Sequence, residues 1–209
     1  MEKQKLKIAL LYSGQLRSWK DTVANHQANI WQRDDFNQTE PFFYTDKDPN
    51  DNNHGYAFNN VVITRESFFP DPFKGHPYNA NKAGENQVYN TYNQWLNNLV
   101  GFILAPVDRD VYVRIRPDLK FNDKLDFTDY DYSGRKIYIP QGHDYGGVND
   151  QFAFGNREVM KIYFSVMLNH HYLYARGVKF HSETMQQENL NAEGVEIVRI
   201  GYPQHDIMR

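Results

Sequence analysis

The chain has 209 residues, a formal net charge of -3, 40% hydrophobic and 23% charged residues, and no cysteine. These proportions describe a single globular domain long enough to bury a core, and they exclude a transmembrane run, a basic nucleic-acid-binding stripe, disulfides and thiolate metal sites. Met1 to Lys5 lead directly toward a strand rather than into a signal peptide, so the chain reads as cytosolic and the Asn37-Gln38-Thr39 sequon carries no weight.

Lys7 to Tyr12 is a continuous apolar run, the pattern of a central parallel strand covered on both faces. It ends at Ser13-Gly14, and Trp19 to Trp31 then reads as a helix with Ser18 as its cap. Such a strand, glycine turn and helix place backbone N–H groups and Arg17 near any anion at the turn. Pro41 to Thr45 is a second strand, with Thr45 and Asp46 at its carboxyl end. The following Asp46, Asp48 and Asn50 are not a calcium loop, because Asp51 stands where glycine is needed and Ala57 where the bidentate glutamate is needed. Asn60 to Thr64 is a third strand, and Phe68 to Tyr78, with its prolines, is an irregular connection.

Asn81 to Leu104 is the longest predicted helix, its apolar face formed by Val88, Tyr92, Trp95, Leu96, Leu99, Phe102 and Ile103. Gln87, Asn90, Asn93 and Gln94 fall outside that face and read as solvated amides, with Gln87 near enough to the helix start to reach a cleft. Asp108 and Asp110 precede the next strand, at the wrong end for a ligand. In that strand Val111, Val113 and Ile115 alternate with Tyr112, Arg114 and Arg116, which places both guanidinium groups on one face before Pro117 ends it at Asp118. This cluster suits a metal-chelated diphosphate, arginine forks on the phosphates and a carboxylate on the ion, or equally an internal Arg–Asp salt-bridge network.

Lys136 to Pro140 is a further strand, followed by a glycine-rich loop, Gln141 to Gly155, carrying His143, Asp144, Asn149 and Asp150. Flexible backbone bearing acid–base groups is where catalytic residues concentrate, and Asp144 and Asp150 are candidate bases; a surface loop with Asx turns is the alternative. Arg157 to Arg176 reads as one helix stopped by Gly177, with the adjacent His170 and His171 too far apart around it to share a metal. Ser182 to Leu190 is a last helix and Val195 to Ile200 a last strand. The order β-α-β-β-α-β-β-β-α-α-β predicts an α/β sandwich around a mostly parallel sheet.

Four segments in this order resemble the GT-A nucleotide-sugar glycosyltransferases: Tyr12 to Arg17, Arg114 to Leu119, Asn149 to Gly155, and the late helix near Ser182-Glu183. The resemblance spans Ile8 to about Ile200 and is nearest to the small glycosyltransferase domains of chlorella-virus capsid-glycosylating proteins and related bacterial and plant proteins. It implies a GT-A (Rossmann-like) α/β/α fold, a location in the host cytoplasm for a viral protein, and a monomer or one domain of a longer chain. The nucleotide would lie on Tyr12, Ser13, Gly14 and Arg17, with Thr45, Asp46 and Gln87 as further donor contacts. A Mn²⁺ or Mg²⁺ would sit on Asp118, the sole match to the last aspartate of the usual D-x-D, with His205 beside Asp206 as a late ligand. Arg114, Arg116 and Arg17 would offset charge on the departing diphosphate, and His143 and Asp144 would flank the acceptor. Asp150 would be the base that deprotonates a glycan or glycoprotein hydroxyl in an inverting transfer; retention stays open. A catalytically silent nucleotide- or glycan-binding domain is the alternative. A nucleotidyltransferase fits less well for want of a glycine-rich, lysine-bearing phosphate loop.

Overall fold

The computed structural model describes residues 5–14, 16, 18–31, 37–45, 61–63, 85–201 and 205–208. In chain order the strands are β1 (Leu6–Ser13), β2 (Asn37–Thr45), β3 (Val61–Ile63), β4 (Val111–Ile115), β5 (Leu119–Phe121), β6 (Lys136–Pro140), β7 (Phe152–Gly155), β8 (Glu196–Ile200) and β9 (His205–Ile207). The helices are α1 (Trp19–Asn29), α2 (Glu85–Leu104), α3 (Arg157–Phe164), α4 (Val166–Ala175) and α5 (Ser182–Ala192). A seven-stranded sheet runs β3-β2-β1-β4-β7-β6-β8, and β5 pairs separately with β9. The sheet is mixed: β7 lies antiparallel to both β4 and β6, while the remaining neighbours are parallel.

Alternation along β1 explains why helices cover both faces. Ile8, Leu10 and Tyr12 join Trp19 of α1, Val111, Val113 and Ile115 of β4, and Phe121 of β5 in one core. Ala9 and Leu11 join Phe102 of α2, Val159, Met160 and Tyr163 of α3, and Leu190 of α5 in the other. Every residue of β1 from Ile8 to Ser13 is therefore buried, as the continuous apolar run predicts. A third cluster, with Val88 and Trp95 of α2, Met167 and Leu173 of α4 and Met185 of α5, holds the helical layer together. Among the described residues no helix is long and apolar enough to cross a membrane.

Besides the added strand β9 and the earlier start of β2 at Asn37, two further elements differ from the sequence reading. The helix predicted over 157–176 is broken at Ser165, whose hydroxyl donates back to the Ile162 carbonyl at 2.8 Å. Its N–H is shared between the Lys161 and Ile162 carbonyls at 3.0 and 3.1 Å, which tightens the turn and separates α3 from α4. The end of the predicted glycine-rich loop, Phe152–Gly155, is instead the antiparallel strand β7, buried throughout. The sequon is also accounted for: Asn37 begins β2, is buried, and donates to Asp126 Oδ1 at 3.2 Å.

Strand order reverses between β2 and β4 on either side of β1, and such a switch point opens a crevice at the carboxyl ends of the strands. Because β7 is antiparallel, its start, and with it Asp150 and Gln151, arrives at that same edge; the Arg116 N–H donates to the Gln151 carbonyl at 3.1 Å.

Candidate active site

A cleft of about 390 Å³ lies at this edge, lined by Thr91 and Gln94 of α2, Arg116 after β4, Asp150 and Gln151 before β7, and His181, Ser182 and Glu183 at the start of α5. Tyr145, Phe180, Val88 and Ile207 supply its apolar surface.

Asp150 is its best-fixed group. It is 7% exposed, and its Oδ2 accepts from Gln94 Nε2 at 2.9 Å and from the Ser182 hydroxyl at 2.5 Å. Among the described residues no hydrogen bond is made to Oδ1, so one carboxylate oxygen is anchored and the other keeps its capacity to accept. The loop is held to α5 through backbone: Val148 N–H donates to the Glu183 carbonyl at 3.1 Å. At Gly147 a Cβ would stand 2.0 Å from the carbonyl carbon and oxygen of Glu183, so only glycine permits this approach.

Arg114 and Arg116, both assigned to phosphate by the sequence, divide. Arg114 is buried on the α2–α3 side of β4 and donates through Nη1 to the Ser13 and Ile115 carbonyls at 3.0 and 2.6 Å. Its Nε and Nη2, like the hydroxyl of buried Tyr163, have no hydrogen-bond partner among the described residues. Burial lowers the Arg114 pKa to about 10, against the favourable fields of Tyr163 and Asp150. It thus lies beneath the cleft as a buried cation rather than in it. Arg116 does line the cleft, and its Nε and Nη2 donate to the two oxygens of Asp118 at 3.0 and 2.6 Å.

Asp118, expected to hold a metal, is therefore buried and chelated by a guanidinium. Among the described residues no three His, Asp or Glu side chains are gathered to hold a metal ion. Among the described residues Asp118 is taken up in a fork-to-fork Arg–Asp pair, the alternative that the sequence left open, and no described group joins it as a metal ligand. The turn is rigid: the Thr22 hydroxyl donates to the Pro117 carbonyl at 2.6 Å and Met208 N–H to the Asp118 carbonyl at 2.8 Å.

The remaining sequence candidates scatter. Tyr12 is in the core on the α1 side, donating to His26 Nδ1 at 2.9 Å and accepting from Trp31 Nε1 at 2.8 Å; burial pushes its pKa up, and it presents nothing to the cleft. Ser13 is buried and donates to Asn98 Oδ1 of α2. Gly14 has φ +125°, a turn conformation that suits glycine, and closes against Pro117. Asp144 does not line the cleft; its Oδ1 accepts from Arg199 at 2.5 Å and from Asn149 N–H at 3.0 Å, pinning the loop to β8. His143 is exposed, at φ 54°, and also lies outside the cleft. Arg17 and Asp46 lie outside the described residues, as do the side chains of Thr45, Gln87 and His205.

Four contributors escaped the sequence reading, the Ser182 donor described above among them. Gln94, read as a solvated amide, is the donor that fixes Asp150. Its signal was a polar stripe at helical spacing, Thr91, Gln94 and Asn98, on a helix whose opposite face is also covered. Glu183 and His181 stand side by side at the start of α5, Nδ1 to Oε2 at 3.3 Å. Burial, then the charge of Asp150, raises the Glu183 pKa to about 7, and burial lowers that of His181. No protein-family model matches the chain, and comparison with curated proteins finds no significant match.

Proposed function

We propose that this protein is a glycosyltransferase that moves a sugar from a nucleoside-diphosphate donor to a hydroxyl acceptor in a single inverting displacement. The observation that carries the reading is Asp150, a buried carboxylate lining a switch-point cleft, anchored through Oδ2 with no hydrogen bond to Oδ1 among the described residues. Such a group serves as a general base, a role that typically contributes ~10²–10⁴-fold. The acceptor proton passes to Asp150 as the acceptor oxygen bonds to the anomeric carbon and the bond to the diphosphate breaks. Arg116, oriented by Asp118 through Nε and Nη2, offers its remaining N–H edge to the departing phosphate. The strand arrangement, parallel about the β1–β4 switch with one antiparallel strand beyond, supports a GT-A-like reading of the fold. No step is routed through a metal ion.

Nucleotide release from UDP-, GDP- and dTDP-sugars, with Mn²⁺ and with EDTA, tests this. Transfer is expected from at least one donor, undiminished by EDTA. Asp150→Asn abolishes it while leaving the donor Kd nearly unchanged. Turnover retained in that variant removes Asp150 as the base; donor binding with no release from any donor identifies a silent binding domain instead.

A further inference from the structure

We infer that Glu183 is a second acid–base residue of the cleft, taking up the proton that Asp150 removes from the acceptor; this rests on the glycosyl-transfer reading above. The two carboxyl groups line one cavity, Glu183 with its side chain 13% exposed. They are held there by a shared scaffold. Ser182, adjacent to Glu183, donates to Asp150, and the Val148 N–H bond and the Gly147 contact tie the Asp150 loop to the Glu183 backbone. On its other side Glu183 touches His181, which is partly exposed and opens a way to water.

The charges around Glu183 come from every element packed near it. The loop supplies Asp150 and Asp144, and the turn after β4 supplies Arg116. The helix start supplies His181, which also feels Lys179, while α2 contributes only Val88, Thr91 and Gln94 to the lining and the loop adds Tyr145. Tyr163 of α3, below, senses both Asp150 and Glu183. Burial and the like charge of Asp150 outweigh Arg116, so Glu183 exchanges its proton near pH 7. Asp150 receives the acceptor proton as the glycosidic bond forms and the electron pair of the broken bond leaves with the diphosphate. The proton then passes to the Glu183 carboxylate and through the His181 imidazole to water, restoring the Asp150 anion.

Difference infrared spectroscopy of the protein labelled with ¹³C-glutamate reads the pairing without turnover. One glutamate carboxyl is expected to titrate near pH 7, to vanish in Glu183→Gln, and to move toward the ordinary glutamate value of about 4.3 in Asp150→Asn. A Glu183 that titrates near 4.3 in the wild type, or is unmoved by Asp150→Asn, overturns the inference. With an active donor, Glu183→Gln lowers kcat about tenfold and removes the ionisation near neutral pH, with KM for the donor unchanged. A wild-type pH profile in that variant also overturns it. If no donor is turned over, the glycosyl-transfer reading fails and the infrared titration alone decides the carboxyl pair.

Discussion

Acid should loosen this fold at one identifiable place, His26. The imidazole is fully buried, its Nε2 2.6 Å from the Leu119 carbonyl and its Nδ1 accepting from Tyr12. That arrangement fixes the neutral Nε2–H tautomer, because Nδ1 must keep its lone pair to accept from the phenol that already receives the Trp31 N–H. Burial lowers the His26 pKa from 6.5 to about 4, outweighing the Leu119 bond and the field of Asp118. Between these values the unfolded chain binds more protons than the folded one. The contribution is therefore fully present above pH 6.5 and is lost as pH falls toward 4. One pKa unit corresponds to about 1.4 kcal/mol, so the loss reaches about 1.4 kcal/mol at pH 5.5 and about 2.5 kcal/mol at pH 4.5.

Glu183 works in the opposite direction. Its raised pKa makes the folded state the better proton binder between 4.5 and about 7, so stability is gained there as pH falls, and the raw wild-type curve mixes the two. The clean measurement is urea unfolding of wild type and His26→Gln from pH 7.5 to 4.5. Glutamine keeps one donor for Leu119 and one acceptor for Tyr12 but does not titrate. The difference in unfolding free energy between the two proteins should shift toward the variant by about 2.5 kcal/mol across this range. A difference constant within about 0.5 kcal/mol would mean that His26 is not the acid-sensitive group.

Four further substitutions probe the cleft. Ser182→Ala and Gln94→Leu each remove one hydrogen bond from the Asp150 carboxylate, typically about 1.5–3 kcal/mol, and should lower kcat by at least about tenfold with a smaller change in KM. Unchanged steady-state kinetics in both would show that the anchoring of Oδ2 is not needed. Gly147→Ala forces a methyl group onto the Glu183 backbone and should cost about 1–3 kcal/mol in thermal or urea unfolding, with transfer impaired as the loop leaves α5. Arg114→Met removes two orphaned N–H groups along with two hydrogen bonds, so stability should change by less than about 2 kcal/mol while transfer falls at least about tenfold for want of the buried cation near Asp150. A large stability loss with normal kinetics would make Arg114 purely structural.

Much of the architecture could be read in the sequence because it is written in local periodicity. The apolar run of β1 and the alternation of β4 state which faces are covered, and both strands are buried accordingly. The break at Ser165 was hidden because apolar spacing continues across it from Val159 to Leu173; only a hydroxyl back-bond marks the junction. Strand β7 was hidden for a different reason. Its aromatic residues lie next to glycines that read as loop, and its direction is set by pairing with β4 and β6, which no window of sequence contains. Asp150 could be found as a carboxylate in a glycine-rich loop beside a strand end. Its partners could not, since Gln94 and Ser182 reach it from helices far along the chain, and a helical wheel assigns Gln94 to solvent unless the position of the Asp150 loop is known.

The Arg116–Asp118 turn shows why a salt bridge and a ligand site need not be alternatives. Two residues apart across Pro117, the pair closes a fork-to-fork contact that buries the carboxylate but leaves the arginine side chain 26% exposed at the cleft. A guanidinium held in this way has already lost the rotamer freedom that phosphate binding would otherwise remove, and the turn beneath it is fixed by Thr22 and Met208. Asp118 then acts through Arg116. The same pairing offsets part of the charge of Arg116, so what the turn presents to the cleft is a fixed N–H edge rather than a free cation.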